Sequence, residues 1–205
     1  MFGVEKTNAW FSYTNFKGVE IVAQIGMLDL KLYQQIESES YEILTNDVNS
    51  KESKKQYVQI NGVINPDDEI DLILTLKNED PGSTSMYVKF KFEIYARGVT
   101  NDILVPTEIS GIQKPNENAN GFVLDESSGF YYLKNNAGNN VVLRGAKELS
   151  KDTGSEVTVG EEIRLMEKFK IPFSSFVNAS GGFIFSNSET VYIKLTVIAS
   201  IVENF

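Results

Sequence analysis

Two residue types that carry much of enzyme chemistry are missing from this chain, which has no histidine and no cysteine among its 205 residues. Without histidine there is no Ser-His-Asp triad, no histidine-bound zinc, and no side chain whose ordinary pKa makes it a general base near neutrality. Without cysteine there are no disulfides, thiolate metal sites or thiol nucleophiles. No apolar run reaches the roughly 20 residues that a membrane-spanning helix needs. Basic residues are also short: 19 Lys and Arg stand against 28 Asp and Glu, for a net charge of −9. A surface of that sign repels phosphate backbones and anionic lipid headgroups, so neither nucleic acid nor membrane insertion is expected. Met1-Phe-Gly-Val-Glu-Lys lacks the basic-then-apolar order of an export signal, so either an exported form begins near this mature end or the chain is intracellular with its native start.

What the chain does have is alternation. Ile70, Leu72, Leu74 and Leu76 alternate with Asp71, Ile73, Thr75 and Lys77. Met86, Val88, Phe90, Phe92, Ile94 and Ala96 alternate with Tyr87, Lys89, Lys91, Glu93, Tyr95 and Arg97. Ile193, Leu195, Val197, Ala199 and Ile201 repeat the pattern near the C-terminus. Period two with one apolar face is the mark of half-buried antiparallel strands. Val19, Ile21, Ala23 and Ile25 share a face, and past Gly26 the phase slips so that Leu28, Leu30 and Leu32 turn inward. Ile163, Leu165, Phe169 and Ile171 share a phase that Glu167 interrupts, and Pro172 ends it. A short strand is expected at 41–44 within an otherwise polar loop over 37–56.

Residues 98–160 read as an insertion. It holds three short strands, 122–125, 130–133 and 141–144, arranged as a meander, then one helical turn at 145–149. The prediction is an all-β chain: a two-sheet antiparallel sandwich of jelly-roll type with an inserted β-meander and little helix. Its length suits a single domain over 19–205, preceded by an N-terminal segment 1–18.

Three stretches carry a family resemblance. Ala9-Trp10-Phe11-Ser12, followed by Ala23-Gln24-Ile25-Gly26-Met27-Leu28-Asp29-Leu30-Lys31-Leu32, resembles the "A-[YF]-F-S … A-x-G-x-L-D-L" opening of the TasA/camelysin family. Tyr13 stands where that pattern has Asp, and Ile25 is extra. Asn65-Pro66-Asp67-Asp68 before the strand at 70–77 is similar to the family's "L-x-P-G-D … L-x-L-x-N" step, with Asp67 in place of Gly. The last strand resembles the ending "[VI]-x-[IL]-x-[LF]-x-[AF]-x-A". The resemblance implies a jelly-roll fold and a secreted protein of the extracellular matrix or cell surface in Gram-positive bacteria. Peptidase activity described for some members would need an H-E-x-x-H motif, which a chain without histidine cannot supply.

The N-terminal segment carries Phe2, Val4, Ala9, Trp10 and Phe11, with Trp10 the only tryptophan. Such a segment either folds back as an edge strand or adds as a strand to the next subunit, and the resemblance favours the second. Strand donation gives affinity through main-chain bonds and specificity through alternate side chains. Repeated head to tail, it makes an open filament. The expected partner is a second copy of this chain, with other matrix or cell-wall components beside it, and no cofactor is expected.

The remaining candidates are acidic or aromatic. Asp67, Asp68 and Glu69 form the densest acidic cluster, a weak calcium candidate that lacks calcium-loop spacing and reads more readily as a polar turn before a strand. Glu161-Glu162 and Asp125-Glu126 are the carboxylate pairs on which a hydrolase would rely. Trp10, Tyr87, Tyr95, Tyr131 and Tyr132 are the rings with which a binding module would hold carbohydrate, or which pack across strands.

Overall fold

The computed structural model describes residues 19–21, 30–45, 67–79, 82–96, 103–175 and 191–203. It is mostly β, in two sheets whose pairings are antiparallel apart from one edge strand. The strands are β1 (Val19–Ile21), β2 (Leu30–Ile36), β3 (Glu39–Thr45), β4 (Glu69–Asn78), β5 (Met86–Ala96), β6 (Ile103–Val105), β7 (Glu108–Ser110), β8 (Gly121–Asp125), β9 (Phe130–Lys134), β10 (Val142–Leu143), β11 (Glu162–Lys170) and β12 (Val191–Ser200). Among the described residues one α-helix, α1 (Ala146–Thr153), precedes β11.

The five-stranded sheet runs β3-β2-β4-β11-β7. In the seven-stranded sheet β5 is the hub. One of its edges pairs with β12 from Val191↔Ala96 to Ser200↔Tyr87. Its other edge is shared by three short strands: β10 at Met86 and Tyr87, β9 at Lys89 and Phe90, and β6 at Ile94 to Ala96. β8 lies outside β9, and β1 lies outside β12.

Alternation places the core where the sequence predicts it. Ile70, Leu72, Leu74 and Leu76 of β4, Met86, Val88, Phe90 and Ile94 of β5, and Ile193, Leu195, Val197 and Ala199 of β12 are all buried in one cluster. Rings from the two sheets meet there: Phe92 of β5 lies 5.7 Å from Phe169 of β11. Phe90 packs edge-on to Phe122 at 4.8 Å and stacks on Tyr131 at 5.0 Å. The interruption at Glu167 is a double irregularity of register, on either side of Met166. It lets the consecutive residues Leu165 and Met166 both be buried, as a bulge does.

Residues 103–160 build into both sheets. β6 pairs with β5, the chain turns at Pro106-Thr107, and β7 pairs with β11 in the opposite sheet. The corner is tied by the Thr107 hydroxyl donating to the Val105 carbonyl (2.7 Å) and the Ser175 hydroxyl donating to the Pro106 carbonyl (2.9 Å). The expected three-strand meander is corrected. β8 and β9 form a hairpin, but β10 pairs with β5, touching β9's end only through the bridge Lys134↔Asn140. The reason is local: Asn135 folds the turn onto itself, its Oδ1 accepting from the amides of Ala137 and Asn139, and buried Leu143 then joins the core under Met86. The expected helical turn is also longer, eight residues, ended by Gly154 in the left-handed region at φ 68°.

Asn78, fully buried at the end of β4, knots these pieces together. Its Nδ2 donates to the carbonyls of Thr84 (2.9 Å) and Leu143 (3.2 Å), its amide to Glu161 (2.9 Å), and its carbonyl accepts from Gly160 (2.8 Å). Beside it Ser83 and Ser85 accept the amides of Ala146 and Gly145. Gly145 must be glycine here, because a Cβ would lie 2.0 Å from the Ser83 carbonyl oxygen.

Candidate functional site

Phe2, Val4, Ala9, Trp10 and Phe11, the expected donor residues, lie outside the described residues, as do 46–66 and the stretch at 181–185. The described chain begins at β1, which pairs with the outer side of β12 in parallel, from Val19↔Ile193 to Ile21↔Leu195. Among the described residues β1 lies at the sheet edge, and parallel pairing is slightly weaker per residue than antiparallel.

The acidic cluster is dispersed by its duties. Asp67 takes a left-handed φ of 66°, donates its amide to the Ile171 carbonyl (3.0 Å), and accepts the Phe173 amide on Oδ1 (3.0 Å). It therefore joins the entry of β4 to the exit of β11. Glu69 pairs with Lys168 across the strands at 3.2 Å. Among the described residues no three acidic side chains converge as metal ligands.

The carboxylate pairs are likewise engaged. Glu161 receives Arg144 Nε at 2.6 Å and the Arg144 amide at 2.9 Å, and this contact raises the guanidinium pKa above its ordinary value. Its neighbour Glu162 pairs with Lys77 on β4 at 3.0 Å. Asp125 folds the β8–β9 turn by accepting from the hydroxyls of Ser128 (2.7 Å) and Ser127 (2.8 Å), bonds that hold its carboxyl below the ordinary range.

The aromatic candidates divide between two faces. Tyr131 points inward onto Phe90, where burial raises its phenol pKa. Tyr87, Tyr95 and Tyr132 share the outer face of the seven-stranded sheet, since they alternate with buried Val88, Ile94 and Leu133. Phe130, unremarked in the sequence reading, joins them because it stands two residues before Tyr132 on the same strand. The Lys89 ammonium sits 5.3 Å from the ring centroids of both Phe130 and Tyr132, and that of Lys91 is 5.9 Å from Phe130. Lys89 is only 8% exposed, and its ammonium lies within cation–π reach of both rings. The signal for this patch is the matching i, i+2 spacing of Lys89–Lys91 and Phe130–Tyr132, legible only once β5 and β9 are known to be neighbours.

Comparison of the chain with protein-family models, with curated proteins and with solved structures finds no match.

Proposed function

We propose that this chain is a secreted structural subunit of the TasA/camelysin kind that joins head to tail into extracellular-matrix or cell-surface fibres. In this reading the two sheets form a jelly roll. Residues 1–18 are the donor strand, and Phe2, Val4, Ala9, Trp10 and Phe11 fill apolar positions of the next subunit. The function is assembly, without turnover or cofactor, and the partners are further copies of the chain with other matrix or cell-wall components.

The observation that carries the reading is the place of β1. Among the described residues β1, which directly follows the donor segment, lies at a sheet edge and pairs with β12 in parallel. Edge strands present unpaired main-chain groups to other chains, and parallel pairing is slightly weaker per residue than antiparallel. The three sequence stretches that resemble the family support it independently.

The test is electron microscopy of the purified full chain, before and after deletion of residues 1–14. Fibres that vanish on deletion, with an unchanged far-ultraviolet spectrum, are the expected result. A full chain that stays monodisperse at every salt, pH and concentration tried overturns the reading.

The ring-and-lysine patch favours a second reading, a module that binds carbohydrate or a cell-surface partner through the outer face of the seven-stranded sheet. There a monomer would bind its target, and Tyr132→Ala would abolish binding without affecting fibre formation.

A further inference from the structure

Two cavities of about 380 and 490 Å³ adjoin where the starts of β8 and β11 meet the end of β9, and they share Gln113, Glu162 and Ile163. We infer that this crevice binds a neutral, hydroxyl-rich oligosaccharide. The inference stands whether or not the chain polymerises, and it concerns a different surface from the ring-and-lysine patch.

The amides come first. The smaller cavity is lined by two asparagine-rich turns, and asparagine is common in turns for structural reasons alone. Asn116 and Asn135 do that structural work: Asn116 Oδ1 accepts the Asn118 amide (2.9 Å), and Asn135 closes its own loop. Asn118, Asn120 and Asn136 do not, for their side chains make no hydrogen bond to the described residues. Each leaves a carbonyl acceptor and two N–H donors available beside the cavity. A sugar hydroxyl is likewise both donor and acceptor, so a row of such amides matches it in either orientation.

These amides stand on a fixed wall. Gln113 Nε2 donates to the Asn120 carbonyl (2.8 Å), the Phe122 amide donates to the Gln113 carbonyl (2.7 Å), and Asn116 and Ala119 form a bridge. The chain crosses itself so closely that a Cβ on Gly121 would lie 2.2 Å from the Lys114 carbonyl carbon. Leu133, Leu143 and Ile163 give the cavity an apolar part, as the C–H faces of a sugar ring require.

Charge selects among ligands. Both guanidiniums in the lining are held by carboxylates, Arg144 by Glu161 and by Asp152 (3.3 Å) and Arg164 by Glu167, and no lysine is among the described lining residues. An anionic ligand therefore meets no uncommitted cation and faces the Glu117 carboxylate. A cationic peptide finds Glu117 but not Glu162, which is paired with Lys77. A neutral polyol uses the Glu117 carboxylate as an acceptor and the amides as either partner. Each cavity is near the lower end of the ~300–1,000 Å³ range of small-ligand pockets, and two in a row suit a short chain of rings. No aromatic ring lies among the described lining residues, so affinity is expected to be modest.

The test is titration calorimetry of the full chain with cellotriose and triacetylchitotriose, with trilysine and trigalacturonate as charged controls. One neutral trisaccharide is expected to bind with a Kd tighter than about 1 mM. Asn118→Ala combined with Asn136→Ala is expected to weaken it by roughly tenfold or more, while Tyr132→Ala leaves it unchanged. Because the substituted side chains have no partners within the described fold, the double variant should keep its amide spectrum. In the parent chain, ligand-induced shifts should concentrate at 113–120 and 133–136. Absence of binding by both neutral trisaccharides at about 10 mM, undiminished binding by the double variant, or tighter binding of trilysine or trigalacturonate would overturn the inference.

Discussion

On the outer face of the five-stranded sheet, each lysine or arginine of the strands has a carboxylate within reach. Lys31 pairs with Glu79, Lys77 with Glu162, Arg164 with Glu167, Lys168 with Glu69, and Lys170 with Glu108. On the outer face of the seven-stranded sheet, Lys89 and Lys91 lie against rings, and Lys91 also pairs with Glu93 at 2.9 Å. Both faces are the polar side of the same alternating pattern. The difference shows two ways of covering a sheet: paired charges open to water, which salt screens, and amines laid over aromatic faces, which exclude water. The first face is closed on itself. The second keeps apolar area and positive charge together, which is why it supplies the second functional reading.

The largest expected effect tests whether the two faces share one foundation. Phe90→Ala, in the common core, should destabilise the chain by about 3–5 kcal/mol, with both sheets unfolding in one urea transition. Separate transitions would break the comparison by making each sheet its own unit. Asn78→Ala is expected to follow at about 2–3 kcal/mol, because it leaves the Thr84 and Leu143 carbonyls buried without their donor.

Smaller effects separate the faces. Phe130→Leu keeps an apolar side chain but removes the ring beside two ammonium groups, and should lower stability by about 1 kcal/mol. Lys168→Met, which breaks exposed ion pairs on the other face, should change it by less than about 0.5 kcal/mol, and raised salt should erase the change. The reverse order in urea midpoints would mean that charge pairing, not ring cover, stabilises the sheets.

The smallest effect is in acid. Burial alone would raise the Glu79 carboxyl, but bonds from Lys31 and Tyr33, with the charges of Lys31 and Lys77, together hold it below its ordinary 4.5. A carboxyl depressed in the folded state contributes stability that is fully present above its unfolded pKa and is lost as pH falls through the folded value. The melting temperature should therefore hold from pH 7 to about 5 and dip slightly below 4.5, and Glu79→Gln should flatten part of that dip.

Much of this was legible from the chain alone, and the failures share a cause. Period two identified the inward faces of β4, β5 and β12, and even the interruption at Glu167, because alternation is a property of adjacent residues. Nothing in 103–110 alternates for long enough to announce β6 and β7, whose three residues apiece are strands only because β5 and β11 pair with them. The acidic residues read as clusters because they are close in sequence. In space, Asp67 caps Phe173, and Glu161 and Glu162 are drawn apart by Arg144 and Lys77. The crevice was equally hidden, since its asparagines come from two turns separated by a hairpin.

The amino-acid order by itself determined the chemistry that is absent, the β character and the side of each long strand that meets the core, because each depends on composition or on neighbours two positions apart. Only the tertiary structure decided the partners: β10 beside β5, lysines over Phe130, Asn78 at the centre of a knot, unengaged amides around a cavity. Hydrogen bonds and ring contacts select whatever the fold brings within a few ångströms, and that is set by segments dozens of residues apart.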